Sequence, residues 1–216
     1  MTPERFRRLR SALERRQPDL TVLMDQVHKP HNFSAILRSC DAVGVLEAHV
    51  IAPEGAVAVH HATSAGTKKW ISVRGHRRVG EAAVELRGRG FRLIAAHPSS
   101  TALDYRAVDY TLPTALVLGS ELDGLSPEAL AAADAHVTIP MVGLVHSLNV
   151  SVASALVLFE AYRQRSAAGM YERSRLPPDE LSRRLFEWAH PTLARQRRAA
   201  GRAYPALGPD GEVMPD

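Results

Sequence analysis

The chain has 216 residues, which suits one domain of ordinary size with terminal extensions. With 45% apolar and 23% charged residues, the composition excludes a disordered chain and is typical of a globular protein. Its apolar runs are far shorter than the ~18 residues that a membrane-spanning helix needs, and the N-terminus lacks the apolar stretch of a signal peptide. The single cysteine, Cys40, excludes an intrachain disulfide, so we expect a cytoplasmic protein with no membrane partner.

The net charge of +4 is unevenly distributed along the chain. Residues 1–16 carry six arginines against two glutamates, and residues 183–202 carry six against one, so both ends are basic and the remainder is mildly acidic. Arginine outnumbers lysine 24 to 3, and its planar guanidinium is the better ligand for phosphate. Basic arms on such a core indicate a nucleic-acid partner. Two solvated helix faces, or the arginine bias of a GC-rich genome, would give the same pattern.

In chain order, an amphipathic, Arg-rich helix at Arg5–Arg16 precedes a series of short β-rich runs that alternate with helical patterns. The predicted strands are Leu20–Val27, Ala48–Ala52, Trp70–Val73, Phe91–His97, Thr114–Gly119 and Ala135–Ile139. The predicted helices are Phe33–Ala42, Val79–Gly88 and Pro127–Ala133, the last with Ser126 as its N-cap. Asp179–Ala203 is likewise predicted to be helical, amphipathic and Arg-rich, and the Pro- and Gly-rich tail after Gly201 is predicted to be loose. Strands separated by helices of ~10 residues indicate the α/β class with a parallel sheet.

Several familiar cofactor and catalytic motifs are absent from the sequence. Gly88 and Gly90 lack the third glycine of G-x-G-x-x-G, because Leu93 stands in its place. Neither a G-x-x-x-x-G-K-[ST] loop for nucleotide phosphates nor a G-x-S-x-G nucleophile elbow occurs. No set of cysteines and histidines has the spacing of a zinc site, so we expect no metal.

Three loop segments, each just after a predicted strand, are the remaining candidates, because a parallel sheet binds ligands at the carboxyl ends of its strands. The first is HKPHNFSAILRSCDAVGV, residues 28–45, in which Asn32 stands where a helix N-cap belongs. Arg38 follows on the predicted helix among apolar neighbours, where a guanidinium needs a ligand or a partner. The alternative is that Arg38 reaches solvent or pairs with Asp41.

The second segment is LGSELDGLS, residues 118–126, a Gly-bounded loop that carries Glu121. Its alternative interpretation is a turn that only caps the next helix. The third is IPMVGLVHSLNVSVASAL, where Pro140 and Gly143 break a strand before an apolar helix. The polar residues His-Ser-Leu-Asn stand at the head of that helix, whose free backbone N–H groups suit a polar ligand.

These segments resemble the three signature motifs of the SPOUT-class RNA ribose 2′-O-methyltransferases, most closely those of the TrmH-type tRNA (guanosine-18-2′-O)-methyltransferases. The resemblance extends from about Leu20 to Tyr171. It implies a SPOUT-type α/β core whose C-terminal part is threaded into a trefoil knot and which acts as a homodimer. On this basis we predict an N-terminal basic helix at 1–18, a methyltransferase core at 19–170, and C-terminal basic helices with a loose tail at 171–216.

The resemblance also implies S-adenosylmethionine as the methyl donor. Position by position, it assigns cofactor binding, largely through backbone groups, to Ala96, His97, Gly119, Ile139, Met141 and Leu148. It makes Arg38 the catalytic centre, and the other functional positions are Asn32, Glu121, Ser147 and Asn149. Arg38 is either the base that activates the ribose 2′-OH or, because a neutral guanidine is costly, a cation that binds the adjacent phosphate and stabilises the oxyanion.

The partner implied by the resemblance is tRNA, held in part by the terminal helices. The expected RNA contacts are Arg5, Arg7, Arg8, Arg10, Lys68, Lys69, Arg195, Arg197 and Arg198. Two positions depart from the family: His146 stands where Gln is usual, and Ala96 where Thr is frequent. A 2′-O-methyltransferase of ribosomal RNA and a non-catalytic RNA-binding protein on the same scaffold stay open as alternatives.

Overall fold

The computed structural model describes residues 1–52, 69–120 and 123–215 of the protein. Its helices are α1 (Pro3–Glu14), α2 (Pro30–Ala42), α3 (Val79–Gly88), α4 (Pro127–Ala132), α5 (Val150–Ala167), α6 (Pro178–Ala189) and α7 (Pro191–Ala199). Its strands are β1 (Leu20–Met24), β2 (Glu47–Ile51), β3 (Ser72–His76), β4 (Arg92–Ala96), β5 (Leu103–Asp104), β6 (Thr114–Leu118) and β7 (Ala135–Thr138). None of these helices combines the length and the apolar character that a membrane span requires.

One sheet, in the order β3-β2-β1-β6-β4-β7-β5, organises the described residues. Every pair of neighbouring strands in it is parallel, which confirms the predicted α/β class. All five residues of β1 and of β6 are buried at the centre, as their continuous apolar runs predict. The edge strand β3 lies at Ser72–His76 rather than at the predicted Trp70–Val73, because backbone pairing with β2, and not burial, holds this largely exposed segment.

Helices cover both faces of the sheet, and alternate residues of β1 show how the core is divided. Met24 packs in one apolar cluster with Phe33 of α2 and Val157 of α5. Leu23 packs in a second cluster with Ala82 of α3. Since successive side chains of a strand point to opposite faces, α2 and α5 lie on one face of the sheet and α3 on the other.

Arg165 fastens the C-terminal part of α5 to the body of the core. Its side chain is fully buried, and its Nη1 donates to Asp19 Oδ1 at 2.6 Å. Its Nε donates to the Tyr110 carbonyl at 2.8 Å, and its Nη2 donates to the carbonyls of Asp19 and Leu112 at 3.1 and 3.2 Å. One guanidinium thus links α5 to the segments that lead into β1 and β6. The trefoil knot that the resemblance implies stays a prediction.

The chain forms two compact units. The core unit is Pro18–Gly169, and the terminal unit joins Met1–Gln17 to Met170–Asp216. The two ends of the chain therefore make one unit rather than separate appendages. Within the terminal unit, α1 packs against α6, and Phe6 and Leu13 of α1 are buried.

The tail after Gly201, which its composition predicted to be loose, is folded. Leu207 and Val213 form an antiparallel bridge, and Met214 N donates to Ala206 O at 3.0 Å. Gly211 adopts a φ of 87°, which glycine adopts without strain, so the chain turns back at this residue. The tail is therefore an ordered hairpin-like segment of the terminal unit.

Proline determines where two of the helices begin, and it shows that the predicted N-cap of α2 was wrong. Asn32 is not the N-cap of α2, because the helix begins at Pro30, whose fixed φ suits the first helical position, and Asn32 lies inside the first turn. The helical region predicted at Asp179–Ala203 consists of two helices that meet at His190, since a residue before proline disfavours the helical conformation. The predicted N-cap of α4 is confirmed, because Ser126 Oγ accepts from Ala129 N at 3.2 Å.

Candidate active site

The three motif segments meet at one edge of the sheet. Strands β1, β4, β6 and β7 run parallel, so the segments that follow them emerge at their common carboxyl edge. From β1 to β3 the chain adds strands on one side of β1. The next strand, β4, lies on the other side of β1, separated from it by β6. Such a switch in strand order opens a crevice for a ligand.

A cavity of about 100 Å³ lies at this edge, between the segments after β4 and β7 and the first turns of α5. Five of the six residues predicted to bind the cofactor line it: Ala96, His97, Ile139, Met141 and Leu148. Ser147 and His146 also line it, whereas Gly119 does not. Sequence reasoning missed five other lining residues, Pro98, Val137, Thr138, Ala153 and Val157, most of them apolar and without a chemical signature of their own.

The two ends of the loop at residues 141–148 line this cavity through Met141, His146, Ser147 and Leu148. Among the described residues, no hydrogen bond involves any of these eight positions, so their N–H and C=O groups are available to a ligand. Ligand pockets usually have volumes of ~300–1,000 Å³, so the cavity holds only part of a molecule as large as S-adenosylmethionine unless this exposed loop shifts. Apolar walls and free backbone groups fit the adenine and the methionyl tail of that molecule.

Gly119 has a packing role beside the cavity. A Cβ at this position would lie 2.3 Å from the carbonyl carbon and oxygen of Gly124, so no larger residue fits. Ser120 N donates to Gly124 O at 2.8 Å, and Gly124 N donates to Ser120 O at 3.2 Å, which closes a tight loop. Glu121 belongs to this loop and lies outside the described residues.

Asp25, which sequence reasoning missed, fixes the far end of the same loop. Its side chain is buried at the end of β1, and its Oδ2 accepts from Ser126 N at 2.8 Å. The residue's own N–H donates to Leu118 O at 2.8 Å. A buried acid directly after a central strand is the signal that could have identified it.

Two asparagines join α2 to α5. Asn149 Nδ2 donates to Asn32 Oδ1 at 3.2 Å, while Asn149 Oδ1 caps α5 by accepting from the backbone N–H and the hydroxyl of Ser151 at 2.9 and 2.5 Å. Asn32 is only 2% exposed, and its Nδ2 has no hydrogen-bond partner within the described part of the chain. A buried N–H donor without a partner is costly, which favours a ligand oxygen at this point.

Arg38 lies on the exposed side of α2, six residues after Asn32. It lines an open cleft of about 780 Å³ together with Pro30, His31 and neighbouring residues of α2. No described residue forms a hydrogen bond or an ion pair with its guanidinium, so the alternative pairing with Asp41 is not formed. A free, exposed guanidinium in a cleft of this size is suited to a phosphate or a developing oxyanion.

The predicted RNA contacts lie in both units. On α1, Arg5, Arg7 and Arg8 are exposed, and Arg10 pairs with Glu14 at 3.0 Å. On α7, Arg195 is exposed, Arg197 is half-buried, and Arg198 forms an ion pair with Glu187 at 2.6 Å. In the core unit Lys69 is exposed, and Lys68 lies outside the described residues. No group of three or more potential metal ligands occurs in the part of the chain that the structure describes.

Family comparison decides what kind of protein carries this arrangement. A model of the SpoU rRNA Methylase family matches residues 19–159. The chain belongs to this family. A second model, for the C-terminal region of the SpoU methylases, matches residues 163–216.

Individual SpoU methylases are similar over most of the chain. The tRNA (guanosine(18)-2′-O)-methyltransferase of Escherichia coli is 49% identical over 100% of this chain and 95% of its own. The enzyme of the same name from Thermus thermophilus is 54% identical over 87% of this chain and 96% of its own.

Solved structures show the same fold. The Aquifex aeolicus TrmH/SpoU tRNA modifying enzyme superposes with a TM-score of 0.80 at 44% identity, covering 87% of this chain and 96% of its own. AviRb of Streptomyces viridochromogenes, in complex with S-adenosylmethionine, superposes with a TM-score of 0.62 at 29% identity over 71% of this chain and 62% of its own.

Proposed function

We propose that this SpoU methylase transfers a methyl group from S-adenosylmethionine to the ribose 2′-OH of guanosine 18 in tRNA. The observation that carries the proposal is identity of 49–54% over nearly the whole chain to enzymes named for this reaction. The core fold and the three motif segments at one sheet edge support it. The basic terminal unit adds the surface that an RNA substrate needs.

The cofactor would lie in the cavity at the carboxyl edge. S-adenosylmethionine supplies an electrophilic methyl group on a positively charged sulfur. Ala96, His97 and Leu148 would hold it together with Ile139 and Met141. The backbone groups of residue 141 and of residues 146–148, which bond to no other described residue, would orient it. Gly119 shapes the neighbouring loop through its close approach to Gly124.

Arg38 and Asn32 are our candidates for handling the ribose. S-adenosylmethionine would supply the methyl group that the ribose 2′-oxygen takes up, and the hydroxyl proton would leave to the adjacent phosphate or to water. Positioning of the two reactants contributes up to ~7–11 kcal/mol to such a step. The Arg38 guanidinium stabilises negative charge on the oxygen, and Asn32 Nδ2, which has no hydrogen-bond partner among the described residues, holds an oxygen of the ribose–phosphate.

Substituting Arg38 by lysine tests its role, because lysine keeps the charge but loses the planar fork of donors. We expect kcat for tRNA methylation to fall by roughly 100-fold, the usual effect of losing a donor to a developing oxyanion. Arg77→Lys is the matched control, since Arg77 is exposed on the core unit outside both cavities of the site, and it should keep normal kcat. Near-normal turnover in Arg38→Lys would refute the assignment.

A homodimer is our proposal for the assembly, supported by apolar surface on the core unit. Val152, Leu156 and Phe159 recur on one side of α5 and are all exposed, although the opposite side of this helix is buried in the core. In the adjoining loop, Val142 and Leu144 are almost fully exposed. A helix with two apolar sides needs a second partner, and a second copy of the chain provides one.

Light scattering tests this assembly directly. The wild-type protein should have twice the mass of the chain at micromolar concentration, and Phe159→Arg should shift the mass toward the monomer. Val84→Arg is the control, because Val84 is a solitary exposed apolar residue on α3. A monomeric wild type would contradict the proposal.

The substrate explains the charge of the terminal unit and suggests the compartment. Exposed arginines of α1 and α7 would contact tRNA phosphates, so binding should weaken steeply with salt. We also propose that the protein is cytoplasmic, because tRNA is used in translation in the cytoplasm and the single cysteine fits a reducing compartment.

A 2′-O-methyltransferase of ribosomal RNA is the second candidate, favoured by the description of the matching family. Incubation with labelled S-adenosylmethionine and separate pools of tRNA and ribosomal RNA separates the two. We expect label in tRNA, whereas label in ribosomal RNA alone would select the second candidate. Label in neither pool would support a non-catalytic RNA-binding protein.

A further inference from the structure

A large cleft lies entirely within the terminal unit and has no part in the chemistry proposed above. Its volume is about 1170 Å³, and α1, α6, α7 and the tail contribute to its walls. We call it the terminal cleft. The lining residues that matter for its chemistry are Arg10, Arg183, Glu187, Arg198, Arg202 and Tyr204.

The tail wall of the terminal cleft is fastened in place. Tyr204 stacks on Phe186 of α6, with ring centroids 4.7 Å apart and an interplanar angle of 14°. Gly211 lies so close to α1 that a Cβ there would be 2.5 Å from the Phe6 ring. His190 Nε2 lies 2.8 Å from the Gly211 carbonyl oxygen and forms a hydrogen bond with it. The cleft is therefore preformed, which reduces the entropy lost when a ligand binds.

One carboxylate oxygen organises the donors of the terminal cleft. Glu187 Oε1 accepts from Arg183 Nη1 at 3.1 Å, from Arg198 Nη2 at 2.6 Å and from the Tyr204 hydroxyl at 3.2 Å. Because a guanidinium has five N–H donors, both arginines keep donors for a ligand. The guanidinium of Arg202 is exposed and bonded to no other described residue.

The charge and the aromatic wall define the ligand. Four arginines line the cleft against two acids, Asp179 and Glu187, so the lining favours an anion. Tyr204 is half-buried and lines the cleft beside Phe186. An unpaired nucleotide offers both a phosphate for arginine and a base that stacks on an aromatic ring, and it fills the volume better than a free phosphate does.

We propose that the terminal cleft is a second RNA subsite that holds an unpaired nucleotide of the tRNA substrate. Its phosphate binds Arg198 and Arg202, and its base lies against Tyr204. This subsite rests on the function proposed above. It adds to that function a binding site for a single-stranded part of the tRNA other than the nucleotide that is methylated.

The test compares full-length Arg202→Ala and Tyr204→Leu with two controls. Arg15→Ala removes an exposed arginine from the same unit outside the cleft, and Tyr204→Phe keeps the ring. The measurements are Kd for unmodified tRNA by fluorescence anisotropy, and KM and kcat for its methylation. We expect Arg202→Ala and Tyr204→Leu to raise Kd and KM at least about fivefold, as loss of one stacked or phosphate-bound nucleotide does, with kcat within about twofold of wild type.

The two controls should stay within about twofold of wild type in Kd. The subsite is refuted if Arg202→Ala and Tyr204→Leu bind tRNA like the wild type, or if Arg15→Ala weakens binding as much as Arg202→Ala. Since Arg202 makes no side-chain bond to the described residues, its substitution leaves folding intact. If the wild-type protein methylated no tRNA, the proposed function would be refuted instead. The Kd values of the wild type and the variants for tRNA would still show whether the subsite exists.

Discussion

Replacing Arg165 by methionine should strongly destabilise the core unit. The change removes a buried guanidinium that bonds Asp19 and the carbonyls of Tyr110 and Leu112. Breaking a buried charge pair costs about 3–5 kcal/mol, and each carbonyl left without a donor adds ~1–3 kcal/mol. Methionine refills much of the volume, and Asp19, with 17% of its side chain exposed, regains water. These two effects offset the cost of the carbonyls, so we expect a total loss of about 3–5 kcal/mol.

Thermal unfolding followed by circular dichroism at fixed protein concentration measures this loss. For a unit of this size, ~1 kcal/mol corresponds to ~2–4 °C, so Tm should fall by about 6–20 °C. Arg163→Met on the same helix is the matched control, because Arg163 is 67% exposed and its ion pair with Glu160 is worth at most ~1 kcal/mol. A Tm for Arg165→Met within about 2 °C of that control would show that the buried bonds of Arg165 do not stabilise the core unit.

Three further predictions concern the site and the core. Asn149→Asp keeps the oxygen that caps α5 but loses the donor to Asn32, so methylation should fall at least tenfold while Tm stays close to wild type; normal turnover would contradict the role of this pair. Tyr110→Phe removes a buried hydroxyl that has no hydrogen-bond partner among the described residues, so denaturant unfolding should show unchanged or slightly higher stability, and a loss above ~1 kcal/mol would count against this description. The His49 imidazole, whose Nε2 lies 3.2 Å from Glu47 Oε1, and then the Arg89 guanidinium lower the pKa of Glu47 to about 2, so the contribution of this carboxylate to stability is full above pH 4.5 and is lost as pH falls from 4.5 toward 2. Burial lowers the pKa of His76, so the stability of the wild type should already decline as pH falls below 6.5. Glu47→Gln should keep this decline and lose only the further decline below pH 4.5. If the stability of the variant and of the wild type depended on pH in the same way, Glu47 would not be the cause of the decline below pH 4.5.

The parallel sheet could be predicted because its central strands are short, continuous apolar runs separated by helical patterns. Helix α3 was predicted with its observed bounds, and Ser126 identified the start of α4. The edge strands were harder, since β3 is largely exposed and β5 has only two residues, so neither carries an apolar pattern. The break at His190 could have been read from Pro191, which follows it.

The site was only partly predictable, for a physical reason. Asn32, Arg38 and Asn149 carry polar groups whose positions stand out among apolar neighbours. The cavity, in contrast, is lined largely by apolar side chains and free backbone, and a backbone N–H has the same chemistry at every non-proline residue. Family resemblance supplied what composition could not, and the order of the tail becomes evident only when the packing of Gly211 on Phe6 is seen.

Mapping the methylated atom shows whether the protein modifies the ribose 2′-OH of guanosine 18. The protein is incubated with labelled S-adenosylmethionine and either a tRNA transcript or the same transcript with 2′-deoxyguanosine at position 18, and the product nucleosides are identified by mass spectrometry. We predict one 2′-O-methylguanosine per transcript at position 18 and no transfer to the deoxy transcript. Methylation of a base, or equal transfer to both transcripts, would contradict the account.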